Sequence, residues 1–262
     1  MQWEYKATKK DFELVERALN LMWSEKLNLI FTDKKLISEV NVISFDSEYL
    51  YLWIKKEKNN WKISRIKHKL KFSKSDRKGW NAWSDPKIVC LLPTDLQWNY
   101  SIIGSLPAVF INTQKKIKNS IYNTEDSFVA TIIHEFAHIY CRSFWDKYKT
   151  NKTNIIKFLQ GKSKISAIEP PPSYLEEVFA FCVEYEISKI IFPKHAVNMD
   201  KSDKEYISKI IKQETAKDKK QASFFVEGNS NHAIAMVLGR KLIKEYPVGW
   251  KEKILNFPSL SS

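Results

Sequence analysis

The feature that most constrains the fold of this chain is the segment His134-Glu135-Phe136-Ala137-His138, which places three ionisable side chains inside an apolar stretch. Its neighbours are the apolar residues Val129, Ile132, Ile133, Ile139 and Tyr140, and the acidic residues Glu125 and Asp126 precede them. Acidic residues are favoured in the first turn of a helix, so the segment is predicted to be helical. Apolar residues lie on most sides of this helix, which predicts that it is buried. Ionisable side chains on such a helix need a partner that offsets the loss of water.

The spacing of the two histidines indicates what that partner is. Residues four apart lie on the same helix face, so the imidazoles of His134 and His138 can reach one metal ion. Glu135 points to the side of that ion, from where its carboxylate can contact a bound water without being a ligand. The pattern predicts one zinc ion per chain. A chance match of the five residues is the alternative, and the apolar helical context favours the metal site.

A third protein ligand must come from another part of the chain. Position 144, six residues after His138, is Phe, and Cys141 stands where a glycine would precede a third histidine. These two departures exclude the metzincin arrangement, in which that third histidine completes the site. The common remaining ligand is a glutamate on a second helix.

Such a helix is predicted after the three prolines at 170–172. Ser173 is a good N-cap, and Ser173 with Glu176 has the spacing of a capping box. Glu176 then has a local role, which leaves Glu177, on a different face, to bind the metal. Glu184, two turns after Glu177, is predicted to hydrogen-bond to a ligating histidine and orient it without contacting the metal. The alternative is an ordinary amphipathic helix with a pair of surface glutamates.

These two segments together resemble the gluzincin branch of zinc metallopeptidases. The stretch Tyr174-Leu175-Glu176-Glu177-Val178-Phe179-Ala180 is similar to the Trp-Leu-x-Glu-Gly-Phe-Ala motif of the M1-like, or peptidase MA-like, families. Tyr174 replaces the usual Trp and Val178 the usual Gly. The resemblance covers roughly residues 105–250 and places Glu177 on the third zinc ligand. No Gly-x-Met-Glu-Asn string precedes it, so an aminopeptidase anchor for a free amine is not supported.

The resemblance implies a metallopeptidase that hydrolyses peptide bonds through a zinc-activated water, with Glu135 as general base. Two residues are candidates for stabilising the oxyanion. His232 stands near the start of a predicted helix, at a position where such families commonly have Tyr, and Tyr174 is the second candidate. A surface or capping histidine is the alternative for His232, and a packing role is the alternative for Tyr174. A predicted strand at 108–112 is expected to bind substrate by edge pairing.

The remaining histidines and cysteines have simpler interpretations. His68 and His195 lie in Lys-rich surroundings and are predicted to face solvent. Cys141 and Cys182 are predicted to be buried core thiols and not ligands. Three widely spaced cysteines indicate a reducing compartment. With no signal peptide and no membrane-spanning run visible, the expected location is the cytoplasm and no membrane contact is expected.

The charge of the chain suggests a different function. Lys and Arg number 43 against 30 acidic residues, so the formal net charge is +13. Only five of the 43 cations are arginines, whereas interfaces that read phosphates and bases favour the bidentate Arg fork. Nucleic-acid binding is therefore the less favoured alternative, and a non-catalytic, zincin-fold binding or regulatory protein is another. A peptide or protein substrate is the expected partner, and the oligomeric state is left open.

The distribution of apolar residues predicts an α+β, zincin-like fold with the active site between two lobes. A strand-rich N-terminal lobe is predicted over 1–123 and a helical, zinc-binding catalytic lobe over 124–262. The predicted strands are 40–54 and 61–72, paired as a hairpin through a turn at 58–60, together with 87–92 and 108–112. The predicted helices are 10–28, 124–147, 152–160, 174–191, 202–215 and 231–246.

Overall fold

The structure, a computed structural model, describes residues 6–33, 37–38, 40–57, 60–67, 82–85, 108–112, 124–142, 172–215 and 228–255. Its helices are α1 (Lys9–Met22), α2 (Glu125–Arg142), α3 (Pro172–Ile191), α4 (Pro193–Thr215), α5 (Gly228–Glu245) and α6 (Trp250–Leu255). Its strands are β1 (Asn41–Phe45), β2 (Tyr49–Glu57), β3 (Asn60–Lys67), β4 (Ala82–Asp85) and β5 (Ala108–Asn112). The chain divides into two compact units, Met1–Tyr140 and Cys141–Ser262.

All five strands belong to one mixed sheet in the first unit. Their order is β3-β2-β1-β5-β4. The β1–β5 pair is parallel, with Ile43 opposite Phe110, and the other three pairs are antiparallel. Parallel neighbours need a long crossover between them, and the residues that separate β1 from β5 in the sequence provide it. The predicted strand at 108–112 is confirmed as β5. Its predicted role in edge pairing with substrate is wrong, because β5 lies between β1 and β4 and both of its edges are already hydrogen-bonded.

The predicted strand at 40–54 is wrong, because a turn divides it into β1 and β2. The turn is organised by the carboxylate of Asp46, which is only 1% exposed. Its Oδ1 accepts the backbone N–H groups of Glu48 and Tyr49, both at 2.8 Å, as in an Asx turn. Its Oδ2 accepts the hydroxyl of Tyr51 at 2.6 Å. Burial and this hydrogen bond raise the pKa of Tyr51, so its hydroxyl remains a donor at neutral pH.

Helix α1 is shorter than the predicted helix 10–28. It begins after Thr8, which forms a capping box with Asp11. It ends at Met22 because the hydroxyl of Ser24 donates to the carbonyl of Leu21 at 2.7 Å, and a 3₁₀ turn, Glu25–Leu27, follows. The apolar stripe predicted for this helix therefore continues past its end into a tighter turn.

Helix α2 falls almost entirely in the first unit, whereas the predicted lobe boundary at 123/124 precedes it. Its contacts with the N-terminal part of the chain explain the difference. Asp126, in its first turn, accepts from Arg17 at 3.1 Å. Near its end, the hydroxyls of Tyr140 and Thr32 are hydrogen-bonded at 2.9 Å, and the ring of Tyr140 packs edge-on against Phe31. These long-range contacts group α2 with the sheet.

Helices α3 to α6 make up the described part of the second unit. The predicted helices 174–191 and 231–246 correspond to α3 and α5, and the predicted helix 202–215 is the second half of α4. Helix α4 begins earlier, at Pro193, a residue that suits the first turn of a helix. Helix α6 was not predicted. The predicted strand 87–92 and helix 152–160 lie outside the described residues, as do 68–72 and 143–147 at the ends of two other predicted elements.

Helices α3 and α5 lie close together at Gly239. A methyl group at its Cα would lie 3.0 Å from the carbonyl oxygen of Val178 and 3.2 Å from the amide nitrogen of Cys182. The thiol of Cys182 also donates to the carbonyl of Gly239 at 3.3 Å. Both atoms belong to the backbone of a buried helix and have little room to move, so a methyl group here would push the two helices apart by a few tenths of an ångström.

Replacing Gly239 with Ala is therefore expected to lower the free energy of unfolding by about 1–3 kcal/mol, as overpacking of a core does. At an open helix position the same change raises stability by about 0.5–1 kcal/mol, so the sign of the effect is the test. Chemical denaturation measures it. Glu245→Ala, at an exposed position of the same helix, serves as the control and should change stability by no more than about 0.5 kcal/mol. A Gly239→Ala protein more stable than the parent would contradict the close packing.

Within the described residues, no helix combines the length and the apolar character that crossing a membrane requires.

Candidate metal centre

Helix α2 carries the histidine pair, and its N-terminus is well capped. Thr124 and Ser127 form a reciprocal cap, in which each side-chain oxygen accepts the backbone N–H of the other residue at 3.0 Å. Acidic residues follow in the first turn, where they favour the positive end of the helix dipole. The helix is buried along most of its circumference by Phe128, Val129, Ile132, Ile133, Phe136 and Tyr140, each at most 2% exposed. The predicted buried helix is confirmed over its described length.

The two histidines face each other on one side of α2. Both are 5% exposed, and their ring centroids lie 4.8 Å apart with the ring planes at 70°. The Nε2 atoms of His134 and His138 are 3.0 Å apart. The helix spacing has therefore brought two imidazole nitrogens to a common point, as the sequence predicted.

Glu135 adds a carboxylate beside this pair. One of its oxygens and one ring nitrogen from each of His134 and His138 lie within 4.8 Å of one another. Glu135 is more exposed than the histidines. Within the described residues, this is the one group of three or more His, Cys, Asp or Glu side chains with such a geometry.

The donor set can be compared with what zinc requires. With Zn–N distances of 2.0–2.1 Å and tetrahedral angles, two ligating nitrogens lie about 3.3 Å apart. The observed separation of 3.0 Å between the two Nε2 atoms is close to that value. The same separation also suits a hydrogen bond in which one neutral imidazole donates to the other. The geometry therefore fits a metal ion, and metal analysis must distinguish the two interpretations.

The other predicted site residues belong to the second unit. Glu177 lies in α3 and is partly buried. Tyr174 stands in the first turn of α3 and His232 in the first turns of α5, and their side chains lie outside the described part of the structure. The assignments of Glu177 as third ligand and of Tyr174 and His232 to the oxyanion remain predictions. Helix α3 begins at Pro172, so Ser173 lies inside the helix. An N-cap residue precedes the helix, so the predicted N-cap role of Ser173 is wrong.

The prediction that His195 faces solvent is wrong. It is 2% exposed, and its Nε2 lies 3.2 Å from Oε1 of Glu184, which is 1% exposed. The neighbouring lysines suggested exposure, but His195 continues a buried stripe at helical spacing with Phe192, Ala196 and Met199. That stripe is the sequence signal that identifies it. Glu184, which is predicted to orient a ligating histidine, thus has an imidazole partner, His195, within its own unit.

A second buried pair was not predicted. The guanidinium of Arg240, which is fully buried, donates from Nε to Oδ1 of Asp203 at 2.6 Å, and its Nη2 contacts the same oxygen. Burial raises the pKa of Asp203, and Arg240 opposes that shift. The two residues are 37 positions apart on different helices, so no local pattern indicates the pair.

The described cysteines are buried free thiols, as the sequence predicted for Cys141 and Cys182. Burial raises the pKa of Cys182 well above its usual value, which disfavours the thiolate that a metal site needs. Cys90 and His68 lie outside the described residues.

The sequence matches no protein-family model and no curated protein, and the structure matches no solved structure.

Proposed function

We propose that this chain is a zinc-dependent metallopeptidase of the gluzincin type, with a zincin-like α+β fold. The observation that carries the proposal is the pair of convergent imidazoles on α2, with Nε2 atoms 3.0 Å apart and a carboxylate beside them. The order of elements supports it, since a mixed sheet precedes the helix with the His pair and a later helix, α3, carries Glu177. The resemblance of both segments to gluzincin motifs is the second support.

In this proposal His134 and His138 bind zinc through their Nε2 atoms, and Glu177 is the third protein ligand. The burial of both imidazoles limits competition from bulk water at these ligands. A zinc ion held there would supply Lewis-acid chemistry, polarising a carbonyl oxygen and lowering the pKa of a water molecule to about 7.

Glu135 is the proposed general base. Its carboxylate can accept a proton from the attacking water and then donate it to the leaving amine of the cleaved peptide. A carboxylate on the neighbouring helix position lies near the reacting atoms but is directed to the side of the two histidines. Tyr174 and His232 are proposed as donors to the oxyanion, on the resemblance alone.

Metal content tests the first step of this proposal. The purified chain, reconstituted with zinc and dialysed, is expected to retain about one zinc ion, measured by elemental analysis. Replacing His134 or His138 with Ala removes one ligand, and each variant is expected to lose at least tenfold in zinc affinity.

The matched control is His195→Ala, which removes a buried histidine outside the group and should leave the zinc content unchanged. Circular dichroism establishes that each variant is folded. A parent chain that retains no zinc after reconstitution would refute the proposal. Equal zinc retention by all the histidine variants would show that the metal binds elsewhere.

A further inference from the structure

The first unit contains a second feature with the form of a binding site. A cleft of about 530 Å³ opens between the end of α1, the β2–β3 hairpin and α2. We call it the tryptophan cleft, because Trp23, Trp53 and Trp61 line it together with Lys55 and Phe136. Its volume lies within the range of about 300–1,000 Å³ that small-molecule sites have.

The walls of the tryptophan cleft are held in place before any ligand binds. The indole N–H of Trp53 donates to the hydroxyl of Ser44 at 2.8 Å, and that of Trp61 donates to Oδ1 of Asn20 at 2.9 Å. Both rings therefore have fixed orientations and satisfied polar groups, and they present apolar faces to the cleft. Side chains that are already fixed lose little conformational entropy when a ligand binds.

The rim of the tryptophan cleft carries positive charge. The Nζ of Lys55 lies 3.1 Å from the centroid of the Trp23 ring, and partial burial lowers the pKa of this lysine. Within the described residues, no carboxylate forms an ion pair with Lys55. Lys56 also lines the rim, and Glu57 contributes one opposing charge. Lys55 is an exposed residue, and its ammonium group has given up part of its hydration to the Trp23 ring with no carboxylate partner in the described part of the chain.

This arrangement distinguishes between classes of ligand. A cationic ligand would normally use tryptophan faces, but Lys55 already occupies the face of Trp23 and would repel a second cation. A neutral apolar ligand would leave Lys55 without a partner. An aromatic anion can contact both the indole rings and Lys55, because its ring can pack on the indoles while its charge pairs with the ammonium group.

The tryptophan cleft is distinct from the candidate metal centre. Successive helix residues are rotated by about 100°. Phe136 is two positions from each of His134 and His138, so it lies about 160° from both of them around α2. Phe136, which is 2% exposed, contributes to the floor of the cleft from the opposite side of the helix. A ligand there would contact α2 without contacting the histidine pair.

We propose that the tryptophan cleft binds an aromatic carboxylate, with its ring against Trp53 and Trp61 and its carboxylate on Lys55. The site does not depend on the proposed peptidase activity or on zinc.

Isothermal titration calorimetry on the full chain tests this inference with three probes that share one ring system. The probes are 2-naphthylacetate, its neutral amide 2-naphthylacetamide, and the cation 2-(2-naphthyl)ethylammonium. The acid is expected to bind about tenfold more tightly than the amide at pH 7, because a charged hydrogen bond is worth about that factor, and the cation should bind most weakly. The measurement is made on protein stripped of metal by a chelator.

The variant Lys55→Gln should lower the affinity for the acid about tenfold and leave that for the amide unchanged. Lys62→Gln is the matched control, because it removes the same charge from the same hairpin at an exposed residue that does not line the cleft. Absence of binding at millimolar probe concentrations would overturn the proposal. Equal affinity for acid and amide would also overturn it, as would equal effects of the two lysine variants, which would indicate only the general positive charge of the chain.

Discussion

Replacing Glu135 with Gln is expected to reduce peptide hydrolysis by about 10²–10⁴-fold, the usual contribution of a general base. Gln has nearly the same shape as Glu but cannot accept the proton of the attacking water. The two imidazole nitrogens 3.0 Å apart are unchanged by the substitution, so zinc binding should remain at about one ion per chain. Cleavage of a peptide library, followed by mass spectrometry and then by kcat/KM on a selected peptide, measures the effect.

The combination of lost activity and retained zinc is what identifies a general base. Glu13→Gln, an exposed position on α1, is the matched control and should retain full activity. Full activity of the Glu135→Gln protein would contradict the proposed mechanism. A parent chain that binds zinc but cleaves no peptide in the library would instead favour the non-catalytic, zincin-fold alternative.

The largest expected effect on stability comes from the buried pair in the second unit. Replacing Arg240 with Met should lower the free energy of unfolding by about 3–5 kcal/mol, because it leaves the carboxylate of Asp203 buried without its cation. Asp203 is 8% exposed, so water offers little compensation. Urea denaturation at pH 7, monitored by circular dichroism, measures the loss.

The pH dependence of this variant follows from the direction of the Asp203 pKa. Burial raises that pKa and Arg240 opposes the shift, so removing Arg240 raises it further. A carboxyl whose pKa is higher in the folded state favours folding below its unfolded pKa and loses that contribution as the pH rises. The destabilisation by Arg240→Met should therefore be smaller near pH 4 than at pH 7.

The double variant Asp203→Leu with Arg240→Met tests whether the charge pair or the packing of the arginine side chain stabilises these helices. Replacing both charges with apolar side chains of similar volume removes the unpaired carboxylate, and stability should return to within about 1–2 kcal/mol of the parent. A double variant as unstable as Arg240→Met alone would show that the packing of the arginine side chain, and not the charge pair, stabilises these helices.

Local patterns were sufficient to predict the elements that have strong local signals. The histidine helix was predicted from a run of apolar residues with an acidic first turn, and the structure places α2 there with a Thr124–Ser127 cap. Strand β5 was predicted with its observed bounds, because a short β-branched and aromatic run follows Pro107 and ends at polar residues. The approach of His134 and His138 also follows from local geometry, since residues four apart share a helix face.

The sequence-based predictions differ from the structure at features that a distant residue or a single side chain determines. One carboxylate, that of Asp46, divides an apparently continuous strand into β1 and β2. His195 is buried against Glu184 although lysines surround it in the sequence, because its helix stripe and not its nearest neighbours determines which way it faces. The lobe boundary was predicted before α2, but side-chain contacts from α1 and from residues near 31 hold that helix in the first unit.

The sequence by itself therefore determined the helix with its two convergent imidazoles and the carboxylate beside them, because a repeat of 3.6 residues is a local property of the chain. The tertiary structure alone decided the Asp203–Arg240 pair, the glycine contact at Gly239 and the contact of Lys55 with Trp23. Those features join residues that are far apart in the chain. Their contacts depend on which elements pack together, and spacing along the sequence carries no information about that.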